Sequence, residues 1–268
     1  MSQIRPAAVA GAFYPGNGQV LSRDLDAMLG DIGPVDGPLP KALIVPHAGY
    51  IYSGPIAASA YQRLAPGRGT ITRVVLLGPA HRVPVRGLAL PDADHFATPL
   101  GLVAIDQAGI AEISDLPQVL VSAAAHAMEH SLEVQLPFLQ KVLGEFSLIP
   151  LVVGDASAEA VAEVLERLWG GPETLIVISS DLSHYLPYAL AQRIDKNTTH
   201  MILNLQTGIN HEQACGGTPV NGLLLVAKRH GLSPELLDLR NSGDTAGDPD
   251  HVVGYAAFAF VAEIPHAH

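Results

Sequence analysis

Disulfide bonds cannot hold this chain together, because its 268 residues contain one cysteine, Cys215. Long apolar runs are also missing. None approaches the roughly 20 residues of a membrane span, and the opening Met-Ser-Gln-Ile-Arg-Pro has no apolar core of the signal-peptide kind. A soluble, cytoplasmic protein is the expectation. Positive charge is scarce: 15 basic residues stand against 26 acidic ones, a formal net charge of −11. Nucleic acid and anionic membranes are poor partners for such a surface. There is no phosphate loop, no dinucleotide-type glycine fingerprint and no Gly-x-Ser-x-Gly nucleophile elbow. Nor is there a linker, a low-complexity block or an internal repeat, so residues 1–268 read as one domain.

What is present is apolar: hydrophobic residues make up 48% and charged residues 15%, which excludes a disordered chain. Short β-branched runs alternate with longer amphipathic stretches, the pattern of βαβ units. Strands are expected at residues 42–46, 73–78, 102–105, 148–153, 175–179 and 255–262. Several are apolar throughout, as befits strands covered on both faces. Helices are expected at 20–29, 55–64, 157–168, 188–205 and 219–229. The last carries boundary signals: Thr218 as N-cap, Pro219 at the first helical position and Gly231 beyond the end. Leu132, Leu136 and Leu139 form a helical stripe that Pro137 should bend. The polar, Gly/Asp-rich residues 240–251 read as a flexible lip over a site. The fold class is α/β, a sheet flanked by helices on both faces.

Two histidines follow apolar strands: His47 in Val-Pro-His-Ala-Gly-Tyr and His81 in Leu-Gly-Pro-Ala-His. Open α/β sheets place their chemistry at such strand ends. Cys215, in Ala-Cys-Gly-Gly-Thr-Pro, precedes a helix start, where free N–H groups favour a thiolate. His47, His81 and Cys215 together make a three-ligand metal site with an open position. Tyr50 and Tyr52, just after His47, are candidate hydroxyl donors. Asp181 and His184, in Ser-Ser-Asp-Leu-Ser-His, end another apolar strand. Glu129 and His130 open Glu-His-Ser-Leu-Glu, with His126 upstream as a weaker candidate. These four supply candidate acid–base and positioning groups: His130 or His184 to move protons, Asp181 and Glu129 to fix imidazole tautomers. For each, a structural role is the competing reading: an inert buried cysteine, a helix-capping aspartate, first-turn polar residues. Metal-free chemistry with Cys215 as nucleophile also stands as an alternative. His266 and His268 read as tail residues without functional weight.

Taken together, Ala-Phe-Tyr-Pro-Gly at 12–16, Pro-His-Ala-Gly-Tyr at 46–50, Glu-His-Ser-Leu-Glu at 129–133 and the segments around Ser179, Cys215 and Asn241 resemble the Memo family. Its bacterial members are also called AmmeMemoRadiSam system protein B. The resemblance runs in order along nearly the whole chain. It implies a fold like that of class III extradiol dioxygenases, with a His/His/Cys pocket mapping onto His47, His81 and Cys215. Glu129, His130, Asp181 and His184 map beside it. Fe(II) or copper is the implied cofactor, a thiolate in place of a carboxylate favouring the softer ion. Dioxygenase-like or oxidase-like chemistry on a small molecule is the leading expectation. The alternative is a non-catalytic metal-binding or peptide-binding module working with radical-SAM and AMMECR-type protein partners.

Overall fold

The structure is a computed structural model and describes residues 2–262; His266 and His268 lie outside them. In chain order the strands are β1 (Ile4–Arg5), β2 (Ala42–Val45), β3 (Arg73–Pro79), β4 (Leu88–Leu90), β5 (His95–Thr98), β6 (Gly101–Ile105), β7 (Val119–Val121), β8 (Ser147–Val153), β9 (Thr174–Ser179), β10 (Leu232–Asn241) and β11 (Gly254–Ala262). The helices are α1 (Gly18–Ile32), α2 (Tyr50–Gln62), α3 (Gln107–Ile113), α4 (Ala123–Ala127), α5 (Leu136–Leu143), α6 (Ala158–Arg167), α7 (Tyr188–Leu203) and α8 (Gly217–Arg229).

One sheet carries the fold, in the order β1-β5-β6-β8-β3-β9-β2-β11-β10, with β4 and β7 branching from β8. Its centre is parallel: β8, β3, β9 and β2 run the same way. Alternation along each strand divides the core. Leu43, Val45, Val74, Leu76, Leu175 and Val177 pack with α1, α2 and α5. Ile44, Val75, Leu77, Ile176 and Ile178 face the other way, against α6 and α8. Helices therefore cover both faces, which is why these strands are apolar at every position.

Local signals explain the helices. In α1, Leu21, Leu25 and Leu29 recur every fourth residue and are buried, each worth roughly 1.5–3 kcal/mol of transfer free energy. Asn17 caps its start by accepting from the Gln19 and Val20 amides. Ser157 caps α6 in the same way, and Arg167 sits in its last turn, where the dipole favours a cation.

All six expected strands and all five expected helices form, with shifted ends. Four local expectations are corrected. The N-cap of α8 is Gly216, not Thr218, and Pro219 sits third in the helix. Pro137 does not bend a helix: a 3-10 turn at Glu133–Gln135 precedes α5, which starts at Leu136. Proline there removes an amide that has no helical partner anyway. Residues 240–251 are no lip over the site. β10 runs to Asn241, which caps the next turn, and Tyr188 donates to Asp244 at 2.6 Å. The loop is thereby tied to the start of α7. The hydroxyl of Tyr50 is also spoken for, donating to the Val134 carbonyl at 2.7 Å.

Candidate metal centre

Three neighbouring parallel strands end at the same edge of the sheet. β2 delivers His47, β3 delivers His81 and β9 delivers Asp181, so residues distant in sequence share one rim. The loop after α4 brings Glu129 and His130 onto that rim. Its approach depends on Gly78: a Cβ there would lie 2.8 Å from Ser131 Oγ. Ser131 instead closes over the strand end and donates to the Pro79 carbonyl at 3.0 Å.

Among the described residues, the ligand atoms of His47, His81 and His130 all lie within 4.8 Å of one another. Hydrogen bonding decides which lone pairs are free. The Ser179 hydroxyl donates to the Ser131 carbonyl at 2.6 Å, and its oxygen accepts from Gln135 Nε2 at 2.7 Å. The Gln135 amide is itself oriented by donating to the Pro46 carbonyl and accepting from the Tyr61 hydroxyl. With its proton committed, Ser179 can only accept from His47 Nδ1, 2.8 Å away. His47 therefore carries its proton on Nδ1 and its lone pair on Nε2.

His81 is oriented by a carboxylate instead. Its Nδ1 lies 2.9 Å from Glu129 Oε1, and its backbone amide donates to Oε2 at 2.6 Å. The His130 and Ser131 amides both donate to Oε1 at 2.9 Å. In the neutral ring the Nδ1 proton goes to Glu129, and the lone pair falls to Nε2. Burial alone would raise the Glu129 carboxyl. The His81 hydrogen bond and charge, with the backbone donors, win and hold it at about 2.

Two of the imidazoles, His47 and His130, are kept neutral. Burial, with the neighbouring His81 charge, pushes His47 down to about 3. Burial and the proximity of His47 push His130 down to about 4. Neutral rings are the ligating form. His130 Nδ1 is buried and makes no hydrogen bond among the described residues. Its nearest carboxylate oxygen is Glu129 Oε1 at 3.4 Å, and a buried nitrogen without a hydrogen bond beside two tautomer-fixed imidazoles fits a bound transition ion.

Cys215 joins from the start of α8: its Sγ lies 3.4 Å from His47 Nε2. Its thiol is not the acidified one that a helix start suggests. Burial, with the Asp181 charge beside it, pushes it up to about 12, so without a metal it stays protonated. Asp181 accepts from the His47 amide at 2.7 Å, and burial raises its carboxyl above the ordinary range. The chain then passes His184 and turns through Tyr185 at φ +56, a left-handed conformation uncommon for a residue with a side chain.

His184 stands apart from the imidazole cluster but lines the same cavity as His81 and Cys215, a space of about 990 Å³. Thus the rings of His47, His81 and His130 are in mutual contact, Glu129 touches His81 and His130, Asp181 and Cys215 touch His47, and His184 looks on from the cavity wall. His126 is turned away, buried with Nε2 donating to the Ala89 carbonyl at 2.8 Å.

Sequence reasoning assigned no role to Ser179, Gln135, Glu133 or Arg5. Glu133 accepts from Arg5, the Ala8 and Val9 amides and the Tyr14 hydroxyl. Arg5 also donates to the His126 and Glu129 carbonyls, so the N-terminal strand clasps the loop that carries Glu129 and His130. A signal was present: Ser131, Glu133 and Gln135 alternate with apolar residues inside one buried segment.

Residues 5–259 match the family model described as Memo-like protein. The chain belongs to the Memo family. A MEMO1 family protein of Aquifex aeolicus is 38% identical, covering 97% of this chain and all of its own length. One from Ignicoccus hospitalis is 36% identical over 96% of this chain and 98% of its own. Among solved structures, an uncharacterised protein of Escherichia coli K12 aligns with 82% of this Memo-family chain and 99% of its own length. Its TM-score is 0.49 and its identity 14%. No helix among the described residues is long and apolar enough to cross a membrane.

Proposed function

We propose that this Memo-family chain is a non-haem redox metalloprotein with dioxygenase-like or oxidase-like chemistry on a small substrate. The observation that carries the reading is the cluster of His47, His81 and His130, two of whose rings are hydrogen-bonded through Nδ1 so that Nε2 carries the lone pair. His47 and His81 hold Fe(II) or copper, with Cys215 and His130 as the further donors. Imidazole suits both ions, and thiolate shifts the preference towards copper. Such an ion, when bound, supplies one-electron chemistry and an open position.

The remaining residues act through this chain's own groups. Ser179 and Glu129 hold the Nδ1 protons of His47 and His81, which keeps both rings in the ligating orientation. Asp181 anchors the His47 backbone. His184 gives and takes protons at the substrate from the cavity wall. A volume of about 990 Å³ suits a small molecule or the side chain of a peptide. A cytoplasmic setting, which keeps a lone thiol reduced, and assembly with radical-SAM and AMMECR-type proteins belong to the same proposal.

Anaerobic purification followed by metal analysis tests it. Near-stoichiometric iron or copper is expected, falling sharply in His47→Ala and in Cys215→Ser. No metal in the wild type after anaerobic reconstitution overturns the reading. Stoichiometric metal without O₂ consumption on any substrate offered leaves the non-catalytic metal-binding module in its place.

A further inference from the structure

α7 turns two different rows of side chains to the cavity. Leu190 and Ile194, with Leu186 just before the helix, lie four residues apart and form an apolar row. Arg193 and Asn197 form the adjacent polar row. The apolar row is not this helix's core face: Ala191, Asp195, Thr198, Thr199 and Ile202 are the buried positions, whereas Leu190 and Ile194 remain partly exposed. An apolar stripe left half-open beside a metal centre is surface that a ligand can cover.

Arg193 adds the charge. In a chain of net charge −11, seven of the eleven guanidinium groups are taken: Arg5, Arg23, Arg63, Arg73, Arg167, Arg229 and Arg240 each pair with a carboxylate. Arg193 has no ion pair or hydrogen bond among the described residues, and it lines the cavity rather than a neutralised surface. Glu212 also lines the cavity, and its charge works against a dianion more than against a monoanion.

We infer that Arg193 is the anion-recognition residue of this cavity, and that the substrate is an amphipathic carboxylate. Its apolar body lies along Leu186, Leu190 and Ile194, its carboxylate meets the Arg193 guanidinium, and its reacting end points to His81 and Cys215. A guanidinium binds a carboxylate through paired N–H donors, a geometry that an alcohol of the same shape cannot use. The inference rests on the redox-centre reading for the identity of the reacting end, but the recognition step stands on its own.

Calorimetric titration of the full chain, metal-free and metal-loaded, with 3-phenylpropionate, 3-phenylpropanol and 3-phenylpropyl phosphate tests it. The wild type should bind the acid about tenfold more tightly than the alcohol. Arg193→Gln should erase that preference, Arg193→Lys should restore part of it, and Glu212→Gln should tighten the phosphate. Because Arg193 and Glu212 are both exposed, all three variants should melt like the wild type. Equal binding of acid and alcohol by the wild type overturns the inference, as does an unchanged preference in Arg193→Gln. Phosphate binding tighter than carboxylate in the wild type overturns the choice of carboxylate. Metal content, measured on the same samples, separates the two proposals. Acid preference without metal sinks the redox reading alone, and metal without acid preference sinks the recognition of a carboxylate alone.

Discussion

Glu129 and Glu133 sit four residues apart in one short motif, both carboxylates are nearly inaccessible, and each collects four hydrogen bonds. Their donors differ entirely. Glu133 faces an arginine, a tyrosine and two amides from the first fourteen residues, and so ties the N-terminus to the body of the protein. Glu129 faces the backbone and ring of His81 and the amides of its own loop, and so orients a ligand. The same residue type in the same segment serves stability at one end and chemistry at the other. Which carboxylate does which depends on the groups that pack against it.

Breaking the Glu133 end should have the largest effect. Glu133→Gln leaves the Arg5 guanidinium buried without its counter-charge, and a loss of about 3–5 kcal/mol is expected. Urea unfolding of the metal-free chain measures it, and an unchanged midpoint would show that the clasp is dispensable. Acid is the next lever, acting on the imidazoles around the Glu129 end. His126 is buried and neutral, with burial pushing it down to about 4, against about 6.5 in the unfolded chain. The unfolded state therefore takes up a proton that the folded state refuses. This contribution is complete above pH 6.5 and is lost as pH falls towards 4, on the order of 3 kcal/mol for His126 alone. His47 and His130 shift in the same direction. Unfolding curves at pH 7 and pH 4.5 check the sign; greater stability in acid would contradict it.

Breaking the Glu129 end should change the site more than the fold. In Glu129→Gln the carboxylate no longer holds His81, and metal affinity is expected to fall about 10–100-fold. Competition with a chelator of known affinity gives the number. The smallest effect belongs to Ser179→Ala, which frees His47 Nδ1 while leaving the ring packed; about a tenfold loss of metal affinity is expected. If Ser179→Ala weakened binding more than Glu129→Gln, the assignment of Glu129 as the dominant orienting group would be wrong.

The central strands were legible because each is a continuous apolar run, and His47, His81 and Asp181 were legible as residues just past such runs. The short strands β1, β4, β5 and β7 were not, since two to four residues carry no period. β10 was missed because Pro234, Glu235 and Asp238 interrupt it and its register shifts between Leu236 and Asp238. His130 was read as a proton carrier, whereas the structure groups its ring with His47 and His81. Nothing in its local setting distinguishes the two roles.

The sequence by itself determined the elements, the strand-end histidines and the kinds of donor available, because these follow from periodicity and side-chain chemistry within a few residues. Only the tertiary structure decided which strands lie side by side, which nitrogen of His47 carries the proton and that burial raises the Cys215 thiol in the absence of a metal. Those outcomes depend on contacts between segments far apart in the chain, such as Asp181 with the His47 amide 134 residues away and Ser179 with the His47 ring 132 away. A buried polar group takes its role from the partner that satisfies it, and that partner is chosen by packing.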